Sequence, residues 1–172
     1  MASPTRSMQS SPNADSRDSA VNLPELLRKL FSELAELIAR RNAELEICRT
    51  SEQLLVRGPE QVVHRILYHV LRNALEASPS CGLVRVTMHQ KHGDVVIEIT
   101  DEGQGIASPY MSKIFKRGFT TKPGAKGQGL AEVEECLGKL RGAIAWESPL
   151  RSGKGTRFTV TLPAASVTPA ST

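Results

Sequence analysis

The sequence is poor in aromatic residues and carries no large excess of either charge. Aromatic side chains make up only 4% of the 172 residues, which argues against the base-stacking platforms of single-strand nucleic-acid binders. The net charge of +4 comes from 22 basic and 18 acidic residues, which is a modest value for a protein that would bind nucleic acid. We therefore expect no nucleic-acid partner.

Cysteines and long apolar runs are also scarce. Cys48, Cys81 and Cys136 are widely spaced and form no CxxC pair, so neither a zinc site nor a disulfide framework is indicated. No apolar run approaches the ~20 residues needed to cross a membrane. The N-terminus lacks the apolar core of a secretory signal. These absences favour a cytoplasmic protein with reduced cysteines.

The two ends of the chain differ in composition from its middle. We expect residues 1–21 and 164–172 to be disordered tails, and residues 22–163 to form one folded domain. Apolar spacing predicts helices over residues 23–42, 59–78 and 130–142 and a short one that Ser108 caps, and Asn22 and Pro24 suit the start of the first. Alternating patterns predict strands over residues 43–49, 52–58, 82–90, 94–100, 143–148 and 155–163. This order predicts an α+β fold, a mixed sheet with helices on one face.

Four motifs could carry chemistry. The long apolar helix contains Asn73 in NALEA, and a polar residue there lies either at the solvent edge or at a ligand. DEGQGI follows a predicted strand, so that Asp101 ends the strand beside a glycine turn. IFKRGFTTK and GAKGQGLA follow, and residues 113–126 hold five basic residues and no acidic one. A glycine-rich loop that leads into a helix N-terminus is typical of phosphate binding.

NALEA, DEGQGI, FTTK and GQGLA together resemble the four boxes of a known ATP-binding domain. That domain is shared by sensor histidine kinases, gyrase, the mismatch-repair ATPases and the ninety-kilodalton chaperones. The opening helix and the closing GTRFTVTLP look most like the catalytic domain of bacterial histidine kinases. The resemblance implies a Bergerat-type fold for residues 22–163, which is a two-layer α/β sandwich with a mostly antiparallel sheet and a flexible ATP lid.

The resemblance implies roles for individual residues. Asn73 would hold Mg²⁺ through its carboxamide oxygen, since hard cations prefer oxygen ligands. Asp101 would accept a hydrogen bond from the adenine amino group with the help of Thr156, and Lys122 would contact phosphate. The other residues expected at the nucleotide site are Gly103, Gly105, Ile106, Phe115, Phe119, Thr120, Gly127, Gln128, Gly129 and Leu130.

Three positions depart from the pattern that the sequence resembles. His69 stands where kinases usually carry asparagine and where gyrase and the chaperones carry the glutamate that activates water. A histidine can itself act as a base. Glu76 stands where many kinases have a phosphate-reaching lysine, although the NAxEA form resembles another kinase subgroup, and Ala131 replaces the last glycine of the usual GxGLG. His69 and Glu76 are the candidate catalytic residues.

A phosphoacceptor cannot be recognised among the histidines. In histidine kinases the acceptor is typically followed by Glu or Asp, whereas His64, His69, His89 and His92 are followed by Arg, Val, Gln and Gly. The acceptor is therefore expected on a dimerisation domain, in a longer form of this chain or in another chain. A response regulator is a further partner that such a kinase implies, and we expect the chain by itself to be monomeric.

Three functions remain open at this point. The first is the catalytic domain of a histidine kinase, which binds Mg²⁺–ATP and donates the γ-phosphoryl group to a histidine. The second is an anti-sigma-factor serine kinase of the same fold, which FTTKP fits well but the opening helix and His69 fit poorly. The third is a non-catalytic adaptor, which the departures at His69, Glu76 and Ala131 leave open.

Overall fold

Helices and strands are interleaved along the chain. In the computed structural model, the described residues are 19–49, 53–150 and 153–165. The elements in chain order are β1 (Ala20–Asn22), α1 (Leu23–Glu33), α2 (Ala35–Arg41), β2 (Glu44–Arg49), β3 (Leu55–Arg57), α3 (Glu60–Ala77), β4 (Leu83–Lys91), β5 (Asp94–Asp101), α4 (Gly129–Leu140), β6 (Ala143–Glu147) and β7 (Thr156–Pro163). A short 3₁₀ helix, Ser108–Tyr110, lies between β5 and α4.

The main sheet has five strands in the order β2-β4-β5-β7-β6. The pair β2–β4 is parallel and the other pairs are antiparallel, including the predicted hairpin of β4 and β5. β1 and β3 form a separate antiparallel pair. The prediction of a mixed, mostly antiparallel sheet in an α+β sandwich is confirmed.

The core lies between α3 and one face of the sheet. The buried face of α3 repeats at helical spacing and consists of Val63, Ile66, Leu67, Val70, Leu71, Ala74 and Leu75. Alternate residues of β5 and β7 meet this layer, because successive side chains of a strand point to opposite faces. The sheet residues are Val95, Ile97, Ile99, Phe158, Val160 and Leu162, all of which are buried. α4 adds Val133, Cys136 and Leu137 to the same cluster.

The predicted helix over residues 23–42 is divided in two at Leu34. Leu34 has φ −89° and ψ 3°, outside helical geometry, and its side chain is buried. α1 has a buried apolar face, whereas α2 has no buried residue, so the bend separates a core helix from an edge helix. The predicted start is confirmed, because Asn22 Oδ1 accepts from the Glu25 N–H at 3.4 Å and Pro24 lies in the first turn.

The prediction of a helix that Ser108 caps is wrong. Only the 3₁₀ helix forms there, its N-cap residue is Ala107, and no side chain caps it. Ile114 is the buried apolar residue of the segment 111–118, so this segment lacks the apolar face that stabilises a packed helix.

Backbone pairing extends beyond the predicted domain boundaries of residues 22 and 163 at both ends. Val21 is 3% exposed and pairs with Val56, so residues 20 and 21 belong to the fold. Ala164 also bridges to Val56, and the Ala165 N–H donates to the Leu55 carbonyl at 2.9 Å. The rest of the two predicted tails, residues 1–18 and 166–172, lies outside the described residues. Within the described part of the chain, no helix is both long and apolar enough to span a membrane.

We expect Val21→Ala to lower the free energy of unfolding by about 1.5 kcal/mol, because it removes buried methyl groups from the β1–β3 pair. Urea unfolding of the whole chain measures this change. Arg57→Ala is the matched control, since Arg57 is an exposed residue of the partner strand and its loss should change the free energy by less than about 0.5 kcal/mol. Equal, small effects of both changes would show that β1 does not contribute to the folded unit.

Candidate functional site

A cavity of about 720 Å³ lies between α3, the end of β5 and the segment that leads to α4. It brings together most of the residues that the sequence singled out: His69, Asn73, Glu76, Asp101, Gly105, Ile106, Phe119, Thr120, Lys122, Gly127, Gln128, Gly129, Leu130 and Thr156. Gly103 and Phe115 do not line it, and Phe115 packs against the core instead. We call residues 111–128 the lid.

The carboxyl group of Asp101 forms the floor of the cavity. Asp101 ends β5 and is 2% exposed. Its Oδ1 accepts a hydrogen bond from the Gly103 N–H at 2.8 Å. Its Oδ2 is buried and, among the described residues, has no hydrogen-bond partner. A buried acceptor without a partner is costly, so this oxygen fits a ligand that brings an N–H donor, as the amino group of adenine does.

Burial raises the pKa of Asp101 to about 6. Backbone hydrogen bonds from Gly103 and Thr156 and the charge of Lys122 act in the opposite direction but do not cancel the effect of burial. At neutral pH the carboxyl group is therefore mostly ionised and acts as an acceptor, while at pH 5 it is mostly protonated.

Glycines hold three backbone segments close together around Asp101. A Cβ on Gly155, which has a φ of +80°, would lie 2.4 Å from the Asp101 carbonyl oxygen. A Cβ on Gly103 would lie 2.6 Å from the Ala77 carbonyl oxygen at the end of α3. Gly103 thus allows the end of β5 to approach α3. It lies at this contact and not on the cavity wall, where the sequence had predicted it.

Thr156 contacts Asp101 through its backbone. Its hydroxyl group lies 3.0 Å from Ser148 Oγ, and the same Ser148 oxygen accepts the Ile106 N–H at 2.7 Å. The backbone N–H of Thr156, after that of Gly103, helps to lower the pKa of Asp101. Sequence reasoning missed Ser148, which ends the predicted strand over residues 143–148 and directly follows the observed β6.

A cluster of charged side chains lies on the cavity wall that α3 forms. Lys122 Nζ of the lid lies 2.9 Å from Asn73 Oδ1 and 2.7 Å from Glu76 Oε2. The other carboxylate oxygen of Glu76 accepts from Arg72 Nε at 2.8 Å. Burial raises the pKa of Glu76, but hydrogen bonds and charges from Lys122 and Arg72 outweigh it and hold the pKa below its usual value. Glu76 is therefore a carboxylate that two cations hold in place.

His69 and Glu132 form a second polar pair on the cavity wall. His69 Nε2 of α3 lies 3.1 Å from Glu132 Oε2 in the first turn of α4. A Cβ on Gly129 would lie 3.1 Å from His69 Nδ1, so the absence of a side chain there lets α4 begin against the imidazole ring. Within the described part of the chain, this N-terminus has no side-chain capping hydrogen bond, and its N-cap residue is Gln128. Sequence reasoning also missed Glu132, which a helical pattern alone does not distinguish from a solvated residue.

Glycine and aromatic contacts shape the lid. Gly127 has a φ of +63°, and a Cβ there would lie 2.5 Å from the Gly118 backbone. The Gly118 N–H donates to the Gly127 carbonyl at 2.8 Å, which closes a loop that holds Lys122 and Lys126. The Phe119 ring packs 5.5 Å from that of Tyr110, a cavity residue that the sequence had not indicated.

The residues present fit adenosine triphosphate and a magnesium ion. The unpartnered Asp101 Oδ2 suits an adenine amino group, and the uncapped N-terminus of α4 with the lid lysines suits phosphates. Asn73 Oδ1 and the Glu76 carboxylate are oxygen ligands of the type that Mg²⁺ prefers.

Comparison with known proteins places this fold in one class, that of ATP-binding domains. Residues 58–166 match the model of the histidine kinase-, DNA gyrase B-, and HSP90-like ATPase family. The chain belongs to this family.

Several similar proteins are sensor histidine kinases. The chain is 30% identical over 151 residues to the sensor histidine kinase RppB of Synechocystis sp., covering 84% of this chain and 33% of that protein. It is 37% identical over 123 residues to the sensor histidine kinase DcuS of Escherichia coli, covering 68% of this chain and 22% of that protein. The solved mycobacterial sensor histidine kinase MprB superposes with a TM-score of 0.74 at 30% identity, covering 86% of this chain and 97% of that one. The chain thus spans a third or less of the length of these two curated relatives.

The pKa of Asp101 predicts a pH dependence of stability. The folded chain binds this proton more tightly than an unfolded chain with the ordinary value of 3.8, so stability falls as the pH rises from about 4 to about 6. The loss is about 3 kcal/mol and is constant above that range. Urea unfolding across this pH range, compared with Asp101→Asn, isolates the effect, because the variant lacks the titrating group. Parallel curves for the two proteins would contradict the assignment.

Proposed function

We propose that this chain binds Mg²⁺–ATP and donates the γ-phosphoryl group to a histidine in two-component signal transduction. The acceptor histidine lies on a separate dimerisation domain, either in a longer form of this chain or in another chain. A response regulator receives the phosphoryl group afterwards. The sensor histidine kinases among the relatives favour this reaction over transfer to a serine.

The observation that carries the proposal is the unpartnered Oδ2 of Asp101. The exocyclic amino group of adenine donates to this oxygen and satisfies its hydrogen-bonding capacity. Guanine has a carbonyl oxygen in the corresponding position, and two acceptors facing each other in a buried site are unfavourable. Asp101 therefore selects adenine nucleotides over guanine nucleotides.

The phosphate end of the cavity combines helix and lid groups. The N-terminal N–H groups of α4 and the flanking lid glycines face phosphate oxygens, since a helix N-terminus favours anions. Asn73 would hold a magnesium ion with its carboxamide oxygen, and an ion held there would supply positive charge against the triphosphate. Lys122 and Lys126 line the same end and supply further positive charge.

Transfer in this scheme depends on positioning and charge neutralisation, because phosphoryl transfer passes through a loose transition state. His69 does not serve as the acceptor, because its Nε2 is bonded to Glu132. His64 Nε2 is likewise hydrogen-bonded to Glu33 Oε2, at 2.8 Å. His89 belongs to β4 and His92 to the turn that follows it, at the end of the hairpin.

One observation favours the adaptor alternative. Lys122 Nζ contacts the Asn73 oxygen that the metal ion would need. In a non-catalytic protein of this fold, that contact would be permanent, and the cavity would serve only as part of a folded scaffold. Nucleotide binding separates the two functions.

Calorimetric titration with a non-hydrolysable ATP analogue tests the proposal. We expect Mg²⁺-dependent binding in the micromolar range, about −5 to −8 kcal/mol. Asp101→Asn should weaken binding by about 10- to 100-fold, because a charge-assisted hydrogen bond is lost and an amide donor faces the adenine amino group. Asp94→Asn is the matched control, since Asp94 lies at the opposite end of the same strand.

Three outcomes of the titration bear on the proposal. Binding that Asp101→Asn reduces and Asp94→Asn preserves supports the nucleotide site. Absence of binding to the unmodified chain would reject the proposal in favour of the adaptor. Equal affinity of the unmodified chain and Asp101→Asn would reject the assignment of Asp101.

We also expect the chain by itself not to autophosphorylate, because none of its four histidines has the sequence context of an acceptor. Incubation with γ-labelled ATP and Mg²⁺, followed by measurement of acid-labile phosphate on the protein, tests this expectation. Label on any of His64, His69, His89 or His92 would contradict it and would place the acceptor within this chain.

A further inference from the structure

We propose that Asn73 and Glu76 form a two-oxygen cation site that the lid closes with the ammonium group of Lys122, so that Lys122 and a divalent ion compete for it. The inference rests on the proposed function, in which Asn73 binds the metal ion of Mg²⁺–ATP. It adds a second protein ligand, Glu76, and a competitor from the chain itself.

The geometry places one cation on both oxygens. Asn73 and Glu76 are three residues apart on α3, so their side chains lie on the same face of the helix. Lys122 Nζ lies within 3 Å of an oxygen from each of them, at 2.9 Å and 2.7 Å. The two oxygens therefore converge on one point, and a carboxamide with a carboxylate is a donor set that suits a divalent cation.

The orientation of Glu76 is fixed from the side opposite Lys122. Arg72 Nε donates to Glu76 Oε1 at 2.8 Å, one helical turn away, while Oε2 faces Lys122. The carboxylate side chain is about four-fifths buried, at 21% exposure, which limits the conformations it can adopt. Arg72 thus keeps one carboxylate oxygen directed at the cavity even when Lys122 leaves.

Lys122 connects the cation site to the backbone of the lid. Its N–H donates to Thr120 Oγ1 at 3.0 Å, and its carbonyl accepts from the Ala125 N–H at 3.3 Å. A divalent ion on Asn73 Oδ1 and an ammonium group on the same oxygen repel each other strongly at this separation. Lys122 therefore leaves when the ion binds, and its charge becomes available to phosphates in the cavity, which Lys126 and Gly129 also line.

Exchange also accounts for the pairing of charges in the cavity. Glu76 contributes a negative charge to a cavity that is proposed to bind a triphosphate, and an unpaired carboxylate there would repel the ligand. Lys122 neutralises the Glu76 carboxylate when the cation site holds no ion, and the divalent ion neutralises it when the ion is bound. The carboxylate therefore has a cationic partner in both states. A lysine that only stabilised the fold would show no such competition.

Mn²⁺ binding to the whole chain without nucleotide tests the proposal, with free Mn²⁺ followed by electron paramagnetic resonance. Lys122→Met should bind Mn²⁺ about tenfold more tightly than the unmodified chain, because the competing ammonium group is gone. Adding Glu76→Gln to that variant should remove the gain. The affinity for the ATP analogue should move in the opposite direction in Lys122→Met, since a phosphate contact is lost.

Lys126→Met is the matched control for charge alone. Lys126 is an exposed lid lysine on the same cavity, and its removal changes the net charge of the lid by the same amount. It should alter Mn²⁺ affinity by less than about twofold. Circular dichroism of each variant confirms that the fold is retained.

Each result supports or overturns the proposal. Unchanged Mn²⁺ affinity in Lys122→Met, an equal gain in Lys126→Met, or a gain that survives Glu76→Gln would overturn it. If the unmodified chain binds the ATP analogue while any of these results is found, the exchange site fails and the proposed function stands. A gain specific to Lys122→Met in a chain that binds no analogue would retain the cation site and reject the nucleotide function.

Discussion

The packing of α3 against the sheet determines where every part of the candidate site lies. Burial of one face of α3 leaves Asn73 and Glu76 on the adjoining side, where they face the cavity. The same packing brings the end of α3 against Gly103, because a glycine lets the two backbones approach. Asp101 is therefore held at a fixed distance from the α3 wall, and the distance depends on core residues that touch no ligand.

Asp101 shows that this rigidity has a cost in stability. A carboxyl group whose pKa is about 6 is less stable ionised in the folded chain than in water, because burial removes its hydration. Gly103 and Thr156 offset part of that cost with backbone N–H groups, and one oxygen still has no partner among the described groups. Local unfavourable features of this kind are expected where a protein binds a ligand, since the ligand supplies the missing hydrogen bond.

The elements that the sequence predicted well are those whose apolar period is unambiguous. α3 and the strands β4, β5 and β7 each bury a continuous face. The spacing of their apolar residues therefore shows both the type of secondary structure and the face that is buried. The division of the first helix at Leu34 and the strand pairing of Val21 were missed. Both depend on contacts with distant parts of the chain, and local spacing does not contain that information.

The same limit applies to the candidate site. Asn73, Asp101 and the lid glycines were located because their motifs are contiguous in sequence and resemble known boxes. Ser148 and Glu132 were missed because each acts through a partner far along the chain, 42 residues away for Ser148 and Ile106 and 63 for Glu132 and His69. Their neighbours in sequence carry no trace of these contacts.

The charges of the cavity explain why the lid and the metal ion have to be considered together. Glu76 and Glu132 both lie on the wall proposed to face phosphates, and each carboxylate is hydrogen-bonded to a nitrogen, Lys122 Nζ and His69 Nε2 respectively. A triphosphate can approach such a wall only while those carboxylates stay paired, since like charges in a partly buried cavity repel each other strongly. Any cation that takes the place of Lys122 keeps Glu76 paired and leaves the lysine free to meet the incoming anion. In the proposed exchange, binding of the cation to Glu76 and departure of Lys122 from Glu76 therefore occur together.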